Sequence, residues 1–221
     1  MSSIKNGSLR FTCSVLFFVI NSMILVSCES PEHEIKKYIL QMGALDANDR
    51  ASAVKHLQQI GAPSVSSLIM ALDSQNPAMR ANIVWLLGEI GEPVEQVVPA
   101  LIHAFADAEQ NVRTTASLSI VSMGKSIVPF LIDVFGSPNA DVRQQAAFAL
   151  GEIGQPLDLI IPVLIGNLDD REWNVRRVSV RALLNIGQPA VAQLTEALNH
   201  GDRETQRTAR IALDQMSHRK R

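Results

Sequence analysis

Two cysteines, Cys13 and Cys28, are too few for a disulfide framework or a zinc cluster. Aromatic side chains are scarce too, with 7 Phe, 2 Trp and 1 Tyr in 221 residues. The core must therefore be built from Leu, Ile, Val and Ala, which favours helices. No charge of one sign dominates: 20 Lys and Arg face 22 Asp and Glu, a formal net charge of −2. That speaks against a broad nucleic-acid-binding surface. No stretch shows the apolar–polar alternation of a half-buried strand. What is present is 47% apolar residues, the ordinary globular level, which sets disorder aside. The length allows one domain or a small pair.

The first residues read as an address. Lys5 and Arg10 form a short positive start, and residues 11–27 then run 17 positions without a charge. This is the layout of a secretory signal, and it falls short of the ~20 residues a spanning helix needs. The run closes on Leu25-Val26-Ser27-Cys28. This resembles the lipobox of bacterial lipoproteins, with an apolar branched residue three before the Cys and a small residue one before it. The resemblance implies that residues 1–27 are a signal peptide cut before Cys28, that the Cys28 thiol carries lipid, and that 28–31 form a short acylated linker. Two or more acyl chains give stable anchoring where one is marginal. The other reading is an uncleaved N-terminal membrane helix. Cys13 has no lipobox ahead of it and reads as leader filler. Glu29, by analogy with the sorting of enterobacterial lipoproteins, leans toward the outer membrane. The expected location is the cell envelope, facing an extracytoplasmic space without cytosolic cofactors.

Beyond the leader one unit recurs. Gly61, Gly91, Gly124, Gly154 and Gly187 each follow Ile or Met, at spacings of 30, 33, 30 and 33. Arg50, Arg80, Arg113, Arg143 and Arg176 stand eleven residues before them. A sixth, degenerate copy runs from Thr205 to Ser217, with Gln206 in the Arg slot. Each copy divides into two stretches with helical spacing of apolar residues, as in Val98, Leu101, Ile102 and Phe105, then Val112, Ala116, Ile120 and Met123. Asn76-Pro77 and Ser137-Pro138 are expected helix starts. The closing Gly is expected to end the second helix at positive φ. Pro63, Pro93, Pro156 and Pro189 open the next pair.

The turn acids Asp73, Asp107 and Asp170, the Val-Arg pair, the Ala-x-x-Ala-Leu run and the closing Ile-Gly resemble HEAT repeats, specifically the short bacterial kind also found in phycobilisome lyases. The resemblance covers residues 32–217 and implies an all-α fold: a right-handed α-solenoid of about six helix pairs, with the second helices lining a concave face. A lone pair cannot bury its apolar stripe, so neighbours must stack and the ends must stay polar. Residues 218–221 are expected to form a basic tail.

HEAT-type solenoids include enzymes. One relative, deoxyhypusine hydroxylase, holds two irons with His-Glu dipeptides directly after the repeat Arg. Here those slots read Ala51-Ser52, Ala81-Asn82, Thr114-Thr115, Gln144-Gln145 and Arg177-Val178. His33-Glu34 stands alone, and the five histidines form no i, i+4 pair. No nucleophile elbow and no P-loop appears. No catalytic, metal or cofactor residue is therefore assigned. A bilin lyase-like or oxidoreductase-like activity on a protein substrate is the alternative to a binding scaffold. The Arg column reads either as an anion-binding track or, the preferred reading, as a ladder tying adjacent turns together.

Counting from each Arg, positions −1, +3, +7 and +10 are expected in the core and +1, +2, +5 and +9 toward the groove. The +5 column reads Lys55, Trp85, Leu118, Phe148 and Arg181, with Ile211 in the last copy. Large apolar residues there mark either a docking face or burial by tight curvature. Glu89 and Glu152 occupy the +9 slot. Charge is divided along the chain: residues 29–170 carry a net −9 and residues 171–221 a net +5. Arg177 and Arg181 belong to the basic end, which suits an acidic partner or an anionic lipid surface. The expected function is a non-catalytic, membrane-tethered scaffold that binds a protein or peptide partner through Trp85, Glu89, Leu118, Phe148, Glu152, Arg177 and Arg181.

Overall fold

The computed structural model describes residues 30–219. The leader, Cys28 and Glu29 of the 28–31 linker, and residues 220–221 lie outside the described residues, while Ser30 and Pro31 of the linker cap and open the first helix. Twelve α-helices follow in order: α1 (Pro31–Gln41), α2 (Ala47–Ile60), α3 (Val65–Met70), α4 (Pro77–Ile90), α5 (Val94–His103), α6 (Gln110–Ser122), α7 (Val128–Asp133), α8 (Ala140–Ile153), α9 (Leu157–Gly166), α10 (Trp173–Ile186), α11 (Val191–His200) and α12 (Arg203–Arg219). Short 3-10 turns join several of them, and no strand occurs among the described residues. Odd and even helices pair, and the six pairs stack into an α-solenoid.

Local chemistry sets the helix limits. Asn76 caps α4 by accepting from the N–H groups of Ala78 and Met79, and Pro77 occupies the first turn, where no N–H is needed. The equivalent start at α8 differs from expectation. The helix opens at Ala140 under an Asn139 cap, because the Asn139 side chain reaches the Asp141 N–H. Ser137 instead accepts from the Asn139 N–H and closes the turn before it. At the other end, the closing glycines all have positive φ, between 63° and 76°. α12 continues through Arg219, so the first half of the expected basic tail is helix.

The apolar columns meet between the layers. The first five second helices bury their +3 and +7 residues completely: Ala53 and Leu57, Ile83 and Leu87, Ala116 and Ile120, Ala146 and Leu150, Ser179 and Leu183. The first helices from α3 onward each supply one fully buried leucine, from Leu68 through Leu101, Leu131 and Leu164 to Leu194, while α1 buries Ile35 and Ile39. At ~25 cal/mol per Å2 of apolar surface, this continuous core is the main stabilising term. From α4 to α12 the second helices contact their successive neighbours more extensively than the first helices do, whereas α2 touches α4 only sparsely. The stack therefore curves with the second helices on its inner side.

The stacking is not uniform. A Cβ built on Gly88 of α4 would lie 2.4 Å from Ser119 Cβ of α6, and one on Gly151 of α8 would lie 2.5 Å from Ala182 Cβ of α10. These close approaches recur 63 residues apart, because Gly fills the +8 slot only in the second and fourth copies. The joints follow the same alternation. Pro93 and Pro156 cap α5 and α9 directly, while the other joints pass through 3-10 turns. The 30/33 spacing thus corresponds to a doublet of two helix pairs, used twice.

Candidate partner-binding groove

The inner face is narrower than the sequence pattern implied. The +5 and +9 slots are wet: Trp85 is 41% exposed, Leu118 55% and Ile211 42%, and Lys55, Glu89, Glu152 and Arg181 are exposed. Ala81 and Val178, expected to face the groove, are buried. The second helices inside the stack, α4 to α10, are covered on both flanks by their neighbours, so only a strip about one residue wide per turn reaches solvent there, while α2 and α12 at the ends expose more. Phe148 is half-buried and packs against the core while edging the cleft between α8 and α10. Trp85 and Leu118 hold one slot on consecutive helices, with axes typically about 8–10 Å apart. Glu152 accepts a hydrogen bond from Asn185 Nδ2 at 3.3 Å.

A groove opens near each end of this face. Near the N-terminal end, a groove of about 470 Å3 lies between α2 and α4, lined by Arg50, Lys55, Gln58, Asn82 and Trp85 among others. Near the C-terminal end, a larger one of about 630 Å3 lies between α10 and α12. Its floor is Val180, Leu184 and Thr208, and its walls carry Arg177, Arg181, Arg207 and Ile211. Trp173 stands at its rim, 62% exposed, with the Arg177 guanidinium 5.1 Å from the ring centroid. Trp173 was not among the residues singled out from sequence. The available signal was its spacing: Trp173, Arg177 and Arg181 share one stripe at i, i+4 and i+8 of α10.

Of the five repeat arginines, Arg50 and Arg176 also line the two grooves. Each of the five donates through Nη1 to a carbonyl of its own turn: Arg50 to Ala44, Arg80 to Ser74, Arg113 to Asp107, Arg143 to Ser137 and Arg176 to Asp170, at 2.6–2.8 Å. Cross-repeat pairing is selective. Arg80 binds the Asp107 carboxylate with both Nε and Nη2, at 2.7 and 2.8 Å, and Arg143 binds Asp170 in the same way. Arg176 reaches Glu204 at 3.1 Å. After Arg50 and Arg113 the slot corresponding to Asp107 and Asp170 holds Ser74 and Ser137, and these two arginines make no ion pair among the described residues. Asp73, grouped with the turn acids from sequence, sits one position earlier than Asp107 and Asp170, and it is exposed.

These pairs move the ionisation of their members. The Arg80 hydrogen bonds hold the Asp107 carboxyl below the ordinary carboxylate range, against burial, with help from the Glu109 N–H. Burial pushes the Asp170 carboxyl up, but hydrogen bonds from Arg143 and the Glu172 N–H outweigh it and hold it low. Asp169 is raised instead, by burial and by the neighbouring Asp202. None of these groups lies in either groove. Among the described residues no three His, Cys, Asp or Glu side chains gather as a metal site. His56 stacks on Tyr38, with ring centroids 4.5 Å apart. No single described helix is long and apolar enough to cross a membrane.

A family model described as HEAT repeats matches residues 35–121 and 128–214. Among solved structures, the complex of CpcE and CpcF of phycocyanin lyase from Nostoc sp. is 21% identical, covering 81% of this chain and 97% of that one, with a TM-score of 0.40. Human deoxyhypusine hydroxylase in complex with glycerol is 18% identical, covering 95% and 92%, with a TM-score of 0.40. A computationally designed armadillo repeat protein for modular peptide recognition is 20% identical, covering 81% and 98%, with a TM-score of 0.37. No curated protein matches the chain.

Proposed function

The chain belongs to the HEAT-repeat family, and on that premise we propose that it is a non-catalytic docking scaffold that binds a protein or peptide partner along its inner face. In this reading acyl chains on Cys28 hold it to a membrane of the cell envelope, facing an extracytoplasmic space. α1 begins at Pro31, so the first helix pair stands close to the tether. The observation that carries the reading is the exposure of Trp85 and Leu118 in one slot of consecutive inner helices, where the flanking slots are packed shut. A large aromatic on a curved, otherwise polar strip is the usual form of a binding anchor.

The test is photo-crosslinking in cells from position 89, beside Trp85. The reading expects a discrete adduct that disappears in Trp85→Ala with Leu118→Ala, while helical circular dichroism and melting stay near wild type. An unchanged adduct would remove these side chains from the interface, and a collapsed melting curve would make them core. For the tether, Cys28→Ala is expected to stay unprocessed and to lose the acyl mass of the N-terminal peptide. Equal masses apart from the substitution would end the lipoprotein reading.

A further inference from the structure

The groove between α10 and α12 begins three inner helices beyond Trp85 and has a different character. We infer that it binds an acidic peptide segment, one carrying at least two carboxylates around an aliphatic side chain. This rests on the scaffold reading above and adds the chemistry of the partner.

The arginines of the groove differ in their commitments. Arg176 is committed, to the Asp170 carbonyl and to Glu204. Arg207 lies 3.5 Å from Glu204 and keeps a 71% exposed side chain. Arg177 and Arg181 have no hydrogen bond or ion pair among the described residues, and both are exposed at the wall. Trp173 holds the Arg177 guanidinium over its ring, which limits its rotamers without consuming its N–H donors. A guanidinium fixed in place with its fork open is prepared for a planar carboxylate. Arg177 and Arg181 are one helical turn apart, about 6 Å. Carboxylates two residues apart on an extended strand have nearly the same separation, about 6.6 Å.

The groove floor selects for something other than a small anion. Val180 and Leu184 are buried beneath it, and Ile211 stands exposed on the opposite wall. An aliphatic side chain placed there removes apolar surface from water on both partners. Charge complementarity adds direction. Residues 29–170 carry a net −9, so most of the solenoid repels an acidic chain, while residues 171–221 carry a net +5. Such a field steers an acidic segment to one end of the stack and raises its association rate.

The experiment uses the full-length protein in neutral detergent and a dye-labelled, blocked peptide, Glu-Glu-Leu-Glu-Glu-Leu, followed by fluorescence anisotropy. Saturable binding is expected, weakening with added salt, with at least a tenfold loss in Arg177→Gln with Arg181→Gln. The Gln-for-Glu peptide is expected not to bind. Reversal, Arg177→Glu with Arg181→Glu, is expected to lose the acidic peptide and to gain the Lys-for-Glu peptide, a result misfolding cannot imitate. Equal binding of the Glu and Gln peptides, or indifference to the Arg changes, overturns the inference. So does tighter binding of phosphatidylglycerol vesicles through the same two arginines, which would make the occupant a lipid headgroup. Loss of peptide binding with the position-89 adduct intact strikes only this inference. Peptide binding without any adduct strikes only the wider scaffold reading.

Discussion

The guanidinium of Arg143 belongs to a side chain only 5% exposed, in a residue 4% exposed overall, so it would be costly to bury alone. Its two hydrogen bonds to Asp170 and one to the Ser137 carbonyl meet that cost. Asp170→Ala leaves the cation buried without its counter-charge and is expected to destabilise by about 3 kcal/mol. Asp73→Ala, at an exposed acid without an ion pair among the described residues, should stay within about 0.5 kcal/mol. Denaturant unfolding of both variants checks the contrast. The same pairs set an acid limit. Because Asp107 and Asp170 titrate below their unfolded value, their stabilisation is fully present above about pH 3.9 and is lost as pH falls through the folded values. Melting temperature should therefore drop in that window, and less steeply in Asp107→Asn with Asp170→Asn. Asp169 acts in the opposite sense: its raised value means ionisation weakens the fold as pH rises through it. Ser179 is the remaining residue-scale oddity, a buried hydroxyl without a hydrogen-bond partner among the described residues. Ala fills the same slot at Ala53, Ala116 and Ala146, so Ser179→Ala is expected to be neutral or stabilising by about 1 kcal/mol.

Between helices, glycine at the +8 slot decides how closely two neighbours stack. Gly151→Ala brings a methyl to 2.5 Å from Ala182 Cβ and 2.8 Å from its Cα, and is expected to cost about 1–3 kcal/mol. Adding Ala182→Gly should recover part of that loss, which a double-mutant cycle of unfolding free energies would read as coupling. At Gly166 a new Cβ meets open space and φ is −58°, so Gly166→Ala should stabilise by about 0.4–1 kcal/mol. The alternation of 30 and 33 residues was legible in the chain, as were the caps at Asn76 and the positive-φ glycines. The doublet behind that alternation was not, because Gly88 and Ser119 lie 31 residues apart and nothing local announces their contact. Ser137-Pro138 misled for a related reason: two side chains compete for the cap, and the turn geometry gives it to Asn139.

Across the whole molecule, each helix pair contacts only its neighbours, so opening should begin at the ends. Hydrogen exchange is expected to be slowest in α6 and α8, inside the stack, and fastest in α1 and α12, each covered on one side only. Uniform protection along the chain would contradict a nearest-neighbour solenoid. An isolated α5–α6 pair should be largely unfolded by circular dichroism, since Leu101 and Ile120 would lose the flanking pairs that complete their burial. The candidate site divides along the same lines. Trp85 and Leu118 could be placed from their slot on one helix. The C-terminal groove could not, because it exists only where α10 and α12 face each other, and Trp173 precedes the repeat frame that drew attention to Arg177 and Arg181.

The helix pairs, their number and their buried columns are written in the spacing of apolar residues, because a stripe recurring every three to four positions is satisfied only by a helix with a neighbour. Which arginines find a carboxylate, which helices close to contact and how narrow the wet strip becomes belong to the folded stack. Those outcomes depend on residues about 30 positions apart meeting across a joint, and a joint's geometry is set by packing on both of its sides.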